Sequence, residues 1–92
     1  MDLEICAGTW QSAVAAAEGG AQRIELCSAL ADGGLTPSVG LIRQTVTLKD
    51  CLNVHVLIRP RSGDFVYTEQ ETEIMADDIR TAVECGVDGV VI

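Results

Sequence analysis

Four short apolar runs punctuate this chain, with a stretch of helical character between each and the next. That alternation limits the fold more than any other feature. Leu3-Glu4-Ile5-Cys6 is the first run and Arg23-Ile24-Glu25-Leu26-Cys27 the second. Val54 to Ile58 is the third and Val87 to Ile92 the fourth. Short, aliphatic and bounded by turn residues, they read as strands. After the first, Thr9 can cap a helix from about Trp10 to Glu18, with Ala13, Val14 and Ala17 on one face, and Gly19-Gly20 ends it. Thr36-Pro37 opens a second helix, threonine as cap and proline at the first helical position, with Val39, Ile42, Val46 and Leu48 as its apolar face. Thr68-Glu69-Gln70-Glu71 is a capping box. The helix it starts turns Met75, Ile79 and Val83 inward and stops near Gly86. The order βαβαβαβ predicts an α/β fold with a parallel sheet and right-handed crossovers.

An internal repeat fits that order. Ala15 to Leu26 overlays Thr81 to Ile92, so that Ala16, Glu18 and Gly20 meet Ala82, Glu84 and Gly86 at an offset of 66 residues. Ile24 and Leu26 then meet Val90 and Ile92. Each copy is a helix end, a glycine turn and a strand, and the offset is two βα units. A barrel built by repetition accounts for this; a reused αβ turn accounts for it equally well.

Strand alternation sorts the side chains into two faces. Glu4 and Cys6 share one face against Leu3 and Ile5; Glu25 and Cys27 oppose Ile24 and Leu26; His55, Leu57 and Arg59 oppose Val54, Val56 and Ile58. The aliphatic face packs under the helices. The polar face therefore points away from them, into the lumen of a (β/α)8 barrel of the TIM type. Buried charges need partners, so Glu–Arg and Glu–His contacts are expected there. An ion network without chemistry is one outcome. The other is a site, because Cys6, Cys27 and Arg59 fall at C-terminal strand ends, where barrel active sites form. Glu25 and His55 are the candidate proton-transfer groups, if burial moves a pKa toward neutrality.

Two long loops follow strands. Asp32-Gly33-Gly34-Leu35-Thr36-Pro37-Ser38 runs into a helix start, where N–H groups and the Thr36 and Ser38 hydroxyls suit an anion. Arg59-Pro60-Arg61-Ser62-Gly63-Asp64-Phe65 puts two of the six basic residues at one strand end. Arginine forks match carboxylate or phosphate oxygens, which makes Arg59, Arg61, Thr36, Ser38 and Asp64 an expected anion or substrate site. Pairing of the arginines with Asp64 is the plainer alternative.

Charge and cysteine usage exclude several classes. Fourteen acids against six Lys and Arg give a net charge of −8, which argues against a nucleic-acid binder and against docking on anionic membranes. No apolar run reaches the ~20 residues of a spanning helix, and the start carries no basic leader, so a cytoplasmic location is expected. Cys6, Cys27, Cys51 and Cys85 lie more than twenty residues apart, without a Cys-x-x-Cys pair, which argues against a disulfide scaffold and a zinc ribbon. Cys6 and Cys27, on adjacent strands, could give a soft metal two thiolates, or could pack as small hydrophobes. Cys51 and Cys85 fall near the αβ turns at the opposite end.

Taken together, Leu3-Glu4-Ile5-Cys6, Arg23-Ile24-Glu25-Leu26-Cys27, Gly33-Gly34-Leu35-Thr36-Pro37-Ser38 and Ile58-Arg59-Pro60-Arg61-Ser62-Gly63-Asp64-Phe65-Val66-Tyr67 resemble the CutC family of copper homeostasis proteins. The resemblance runs through essentially all 92 residues in the same order. It implies a TIM-type barrel and a cytoplasmic copper-binding protein of copper tolerance or trafficking, with copper at Cys6 and Cys27. From the residues alone, an enzyme or binder for a small anionic metabolite competes with that reading.

Length sharpens the expectation. Four strands are half of a barrel that takes about 250 residues, so residues 1–92 read as the N-terminal half of one barrel domain, a fragment of a longer protein. Strands one and four would then be open edges. A homo-oligomer, with strand four of one copy beside strand one of another, is the expected remedy.

Overall fold

The computed structural model describes residues 3–92. Four strands, β1 (Glu4–Ala7), β2 (Arg23–Leu26), β3 (Asn53–Leu57) and β4 (Gly89–Val91), alternate with three helices, α1 (Trp10–Glu18), α2 (Val39–Thr45) and α3 (Glu69–Cys85). The strands pair in sequence order, β1-β2-β3-β4, and every pairing is parallel. The predicted α/β alternation is therefore the observed one. Short 3₁₀ turns at Leu30–Asp32 and Val46–Leu48 flank α2.

The register aligns the aliphatic residues across the sheet: Ile5 meets Ile24, which meets Val54, while Leu26 meets Val56, which meets Val90. Ile24, Leu26, Val54, Val56 and Ile58 are at most 1% exposed. Ala13 and Ala16 of α1, Ile42 of α2, and Met75 and Ala82 of α3 join them in one core. Alanines at the contact let α1 and α3 lie close to the strands. Burial of each large aliphatic side chain contributes ~1.5–3 kcal/mol, so this face holds most of the stability.

The internal repeat is structural. Ala21 N–H bonds the Ala16 carbonyl and Val87 N–H bonds the Ala82 carbonyl, in both cases across a glycine, Gly20 or Gly86, at φ 83° or 94°. Each is a helix end closed by the same six-residue hydrogen bond. The next residue repeats too. Gln22 Oε1 accepts from Leu3 N–H, and Asp88 Oδ2 accepts from Val54 N–H, each tying the incoming strand to its neighbour.

Three local expectations are corrected. Ser38, not Thr36, caps α2, accepting from Leu41 N–H, because the Thr36 hydroxyl is held by the Arg59 backbone. The inner face of α2 carries Ile42 and Thr45, both buried, while Val39 at its first turn is exposed. Val83 is exposed: α3 turns Met75 and Ala82 to the core, with Ile79 alongside, and Val83 lies just past that arc. The capping box at Thr68 and Glu71 forms as predicted.

Candidate functional site

The face of the sheet turned away from the helices is polar, and the register arranges it in rows. Glu4, Arg23 and Asn53 form the first; Cys6, Glu25, His55 and Gly89 the second. Cys27 lies two residues beyond Glu25, just past the end of β2, and Arg59 two beyond the end of β3. Within the described residues this face is open: Glu4 and Cys6 are exposed, Glu25 and His55 half-buried.

Glu4 pairs with Arg23 on the neighbouring strand. That hydrogen bond holds the Glu4 carboxyl below the usual glutamate range. Glu25 moves the other way, pushed up by burial, then by the charge of Glu4 and its hydrogen bond to that carboxyl. Two carboxyls thus share a face with their affinities for protons pushed apart. A Glu–Arg contact forms, but it is exposed and uses Arg23 in place of Arg59, whose guanidinium takes backbone carbonyls; no Glu–His hydrogen bond forms among the described residues. His55 instead lies against Gly89, where an added Cβ would meet the imidazole at 2.7 Å. Only glycine leaves room for the ring. A glycine inside a strand run signals such close approach.

Cys6 and Cys27 differ in access. Cys6 is exposed; Cys27 is buried, its thiol 3.7 Å from the Ala7 carbonyl. Burial pushes both thiols above the ordinary cysteine range. Glu25 and Glu4 add to the shift at Cys6, and Cys6 and Glu25 add to it at Cys27. No group of three or more His, Cys, Asp or Glu side chains converges as a metal cage among the described residues. Thiolates are the donors a soft ion such as copper(I) favours, and Cys6 and Cys27 are the thiols on this face. Cys51 lies in the turn before β3 and Cys85 ends α3, away from this pair.

The expected anion receptors have protein partners. Arg59 Nη1 donates to the carbonyls of Asp32 (3.0 Å) and Gly34 (3.1 Å), and Nη2 to that of Gly63 (3.0 Å). Its Nε is buried without a partner among the described residues, and its guanidinium stacks 5.1 Å from the Phe65 ring centre. Arg61 pairs with Glu71 and Asp64, donates to the Asp64 and Val66 carbonyls, and stacks on Tyr67. Asp64 also accepts from Val66 N–H. Thr36 bonds the Arg59 backbone and Ser38 caps α2. Arg61 and Asp64 thus form a loop clamp with Glu71, separate from the Cys6–Glu25–His55 row. Glu71 was legible as a capping-box residue but not as the partner of Arg61.

Two clefts flank the face. One of about 200 Å³ lies at the C-terminal strand ends, among Glu25, Gly33, Leu57, Arg59, Phe65 and Tyr67. The other, about 270 Å³, lies at the opposite end among Leu3, Glu4, Gln22, Arg23 and Asn53.

Comparison with known proteins assigns the lineage. The model of the CutC family matches residues 1–92. A family protein CutC of Xylella fastidiosa (strain Temecula1) is 50% identical over 92 residues, covering 98% of this chain and 33% of the relative. The copper homeostasis protein cutC homolog of Homo sapiens is 51% identical over 89 residues, covering 97% of this chain and 32% of the relative. A crystal structure of CutC from Streptococcus agalactiae superposes with a TM-score of 0.91 at 39% identity, covering all of this chain and 45% of that one. The chain thus spans about a third of the length of these curated relatives. It belongs to the CutC family.

Proposed function

We propose that this chain serves copper homeostasis in the cytoplasm, taking up copper(I) as cargo at the Cys6 and Cys27 thiols. The observation that carries the reading is the pair itself, two thiols on the polar face, with Cys6 opposite Glu25 and Cys27 two residues beyond it on the neighbouring strand's end. Copper(I) favours soft thiolate donors, and low coordination suits a site of two. The name of the human relative points the same way. Exposed Cys6 is the first sulfur an arriving ion meets; buried Cys27 is the second. Because both thiols sit above their ordinary range, loading displaces protons, and affinity rises with pH across the range where they are protonated. A competition titration with a copper(I) chelator under anaerobic conditions tests this. Tight binding by the parent and its loss in Cys6→Ala/Cys27→Ala is expected; equal affinity in both contradicts the assignment.

The surrounding architecture is read as part of a TIM-type barrel, supported by the parallel β1-β2-β3-β4 order and the two-unit repeat. The outer edges of β1 and β4 are unpaired among the described residues. They support association with a second copy, β4 of one beside β1 of the other. Light scattering giving a monomer contradicts that association.

One observation favours a second reading, a binder or enzyme for a small phosphate- or carboxylate-bearing metabolite. The Arg59 Nε is buried without a partner beside a cleft that Glu25 also lines. There Glu25, its carboxyl pushed up by burial, would serve with His55 in proton transfer. A thermal-shift screen of phosphorylated and carboxylated metabolites tests it; a hit lost in Arg59→Ala supports it, and no Arg59-dependent hit contradicts it.

A further inference from the structure

We propose that Arg59 is a positioning residue: its guanidinium latches the loop between β2 and α2 as a strap over the Cys27 thiol, so that opening the latch controls access to this sulfur. The inference rests on Cys27 being one of the copper donors, but the geometry behind it stands on its own.

Cys6 and Cys27 share one polar face, yet Cys6 is exposed and Cys27 is 2% exposed. Strand position accounts for part of the difference, since β1 is the edge of the described sheet and β2 an inner strand. The loop adds the cover above the sulfur. Ser28 and Leu35 pair back to back at its base through two backbone hydrogen bonds of 2.8 Å. The turn between them folds Gly34 onto the thiol: a Cβ built at Gly34 would lie 3.8 Å from Cys27 Sγ and 2.9 Å from Leu57 Cδ2. Gly34 and Leu57 together close over the sulfur.

What holds the tip down is Arg59. Its Nη1 bridges the carbonyls of Asp32 and Gly34, one on either side of Gly33, and its Nη2 reaches Gly63 on the next loop. Phe65 stacks on the guanidinium from outside. One planar fork thereby ties the tips of two loops together through three carbonyls, a geometry a lysine ammonium does not reproduce. The tip is also strained. Ala29, at its start, sits at φ 49°, a left-handed conformation that a non-glycine residue adopts at a cost. The base is anchored separately, by the Ser28–Leu35 pair and by Thr36 bonded to the Arg59 backbone. The tip also keeps its own hydrogen bonds, Asp32 and Gly34 N–H to the Ala29 carbonyl and Gly33 N–H to that of Leu30, so loss of the guanidinium lets it lift as a unit on the Ser28–Leu35 base.

Alkylation with iodoacetamide, followed by peptide mass spectrometry, reads each cysteine separately without copper. Cys85, partly buried at the end of α3, is the internal control for general opening. Arg59→Ala removes the latch. Gly33→Ala displaces it without removing the charge, since a Cβ at Gly33 would meet Arg59 Nη1 at 2.9 Å. In both variants the Cys27 rate is expected to rise at least tenfold relative to Cys85. A Cys27 rate that stays level, or rises only in step with Cys85, overturns the proposal. Failure of copper binding in the parent protein, with selective unmasking of Cys27 intact, would instead count against the copper reading alone.

Discussion

On its helix-facing side the sheet seals Ile24, Leu26, Val54, Val56 and Ile58 from solvent; on the other side the same strands present Glu4, Cys6, Glu25 and His55. Both faces share one set of backbone hydrogen bonds, so the difference lies in the side chains alone. The first face carries the stability. The second carries charges, thiols and a histidine that a fold seeking only stability would replace with aliphatic residues, as parallel strands usually do. Polar groups held on a rigid frame whose stability comes from elsewhere are what a binding site requires.

Substitutions across the sheet test this contrast most severely. Ile24→Ala is expected to cost ~2–5 kcal/mol in urea unfolding, as a large-to-small change at a fully buried position. Cys6→Ala, in the next strand but on the opposite face, is expected to stay within about 0.5 kcal/mol. Equal costs would break the distinction. Gly89→Ala probes the polar face itself: the new methyl would press on His55, with an expected cost of ~1–3 kcal/mol and a displaced His55 ring resonance. An unchanged resonance would mean that the ring does not rest there. A change outside both faces sets an intermediate scale. Thr68→Ala removes the α3 cap and is expected to cost about 1 kcal/mol by the same unfolding measurement.

The smallest effect is pH-dependent. Folding raises the Glu25 pKa, so its contribution to stability is fully present below the unfolded value and is lost as pH rises through the folded one. Glu25→Gln is therefore expected to melt slightly higher than the parent at pH 7. The difference should vanish below the ordinary glutamate value of about 4.3. A variant that melts lower at pH 7 would show that Glu25 is favourably ionised, and the polar face would then resemble a satisfied ion network.

Much of this was legible in the residues. Period-two alternation sorts Ile24 from Glu25 and Val54 from His55 because one face must meet helices. The Thr68–Glu71 box names its own helix start. Gly20 and Gly86 mark equivalent helix ends because the left-handed turn there favours glycine. What failed depended on contacts distant in sequence. Thr36 and Ser38 are both able caps flanking Pro37, and the choice falls to Ser38 only because Arg59, 23 residues away, engages Thr36. Val83 matched the apolar spacing, but Met75 and Ala82 take the inward positions and leave Val83 exposed. Two arginines at a strand end announce acceptors without saying which. Backbone carbonyls take the two Arg59 Nη groups, and carboxylates with carbonyls take Arg61, a division that only the folded loops decide.

Copper X-ray absorption on the copper(I)-loaded protein tests the function of the polar face most directly. A first shell dominated by sulfur is predicted, and it should disappear in Cys6→Ala/Cys27→Ala. A shell of oxygen or nitrogen alone, or a sulfur shell unchanged in that variant, would contradict the assignment of Cys6 and Cys27.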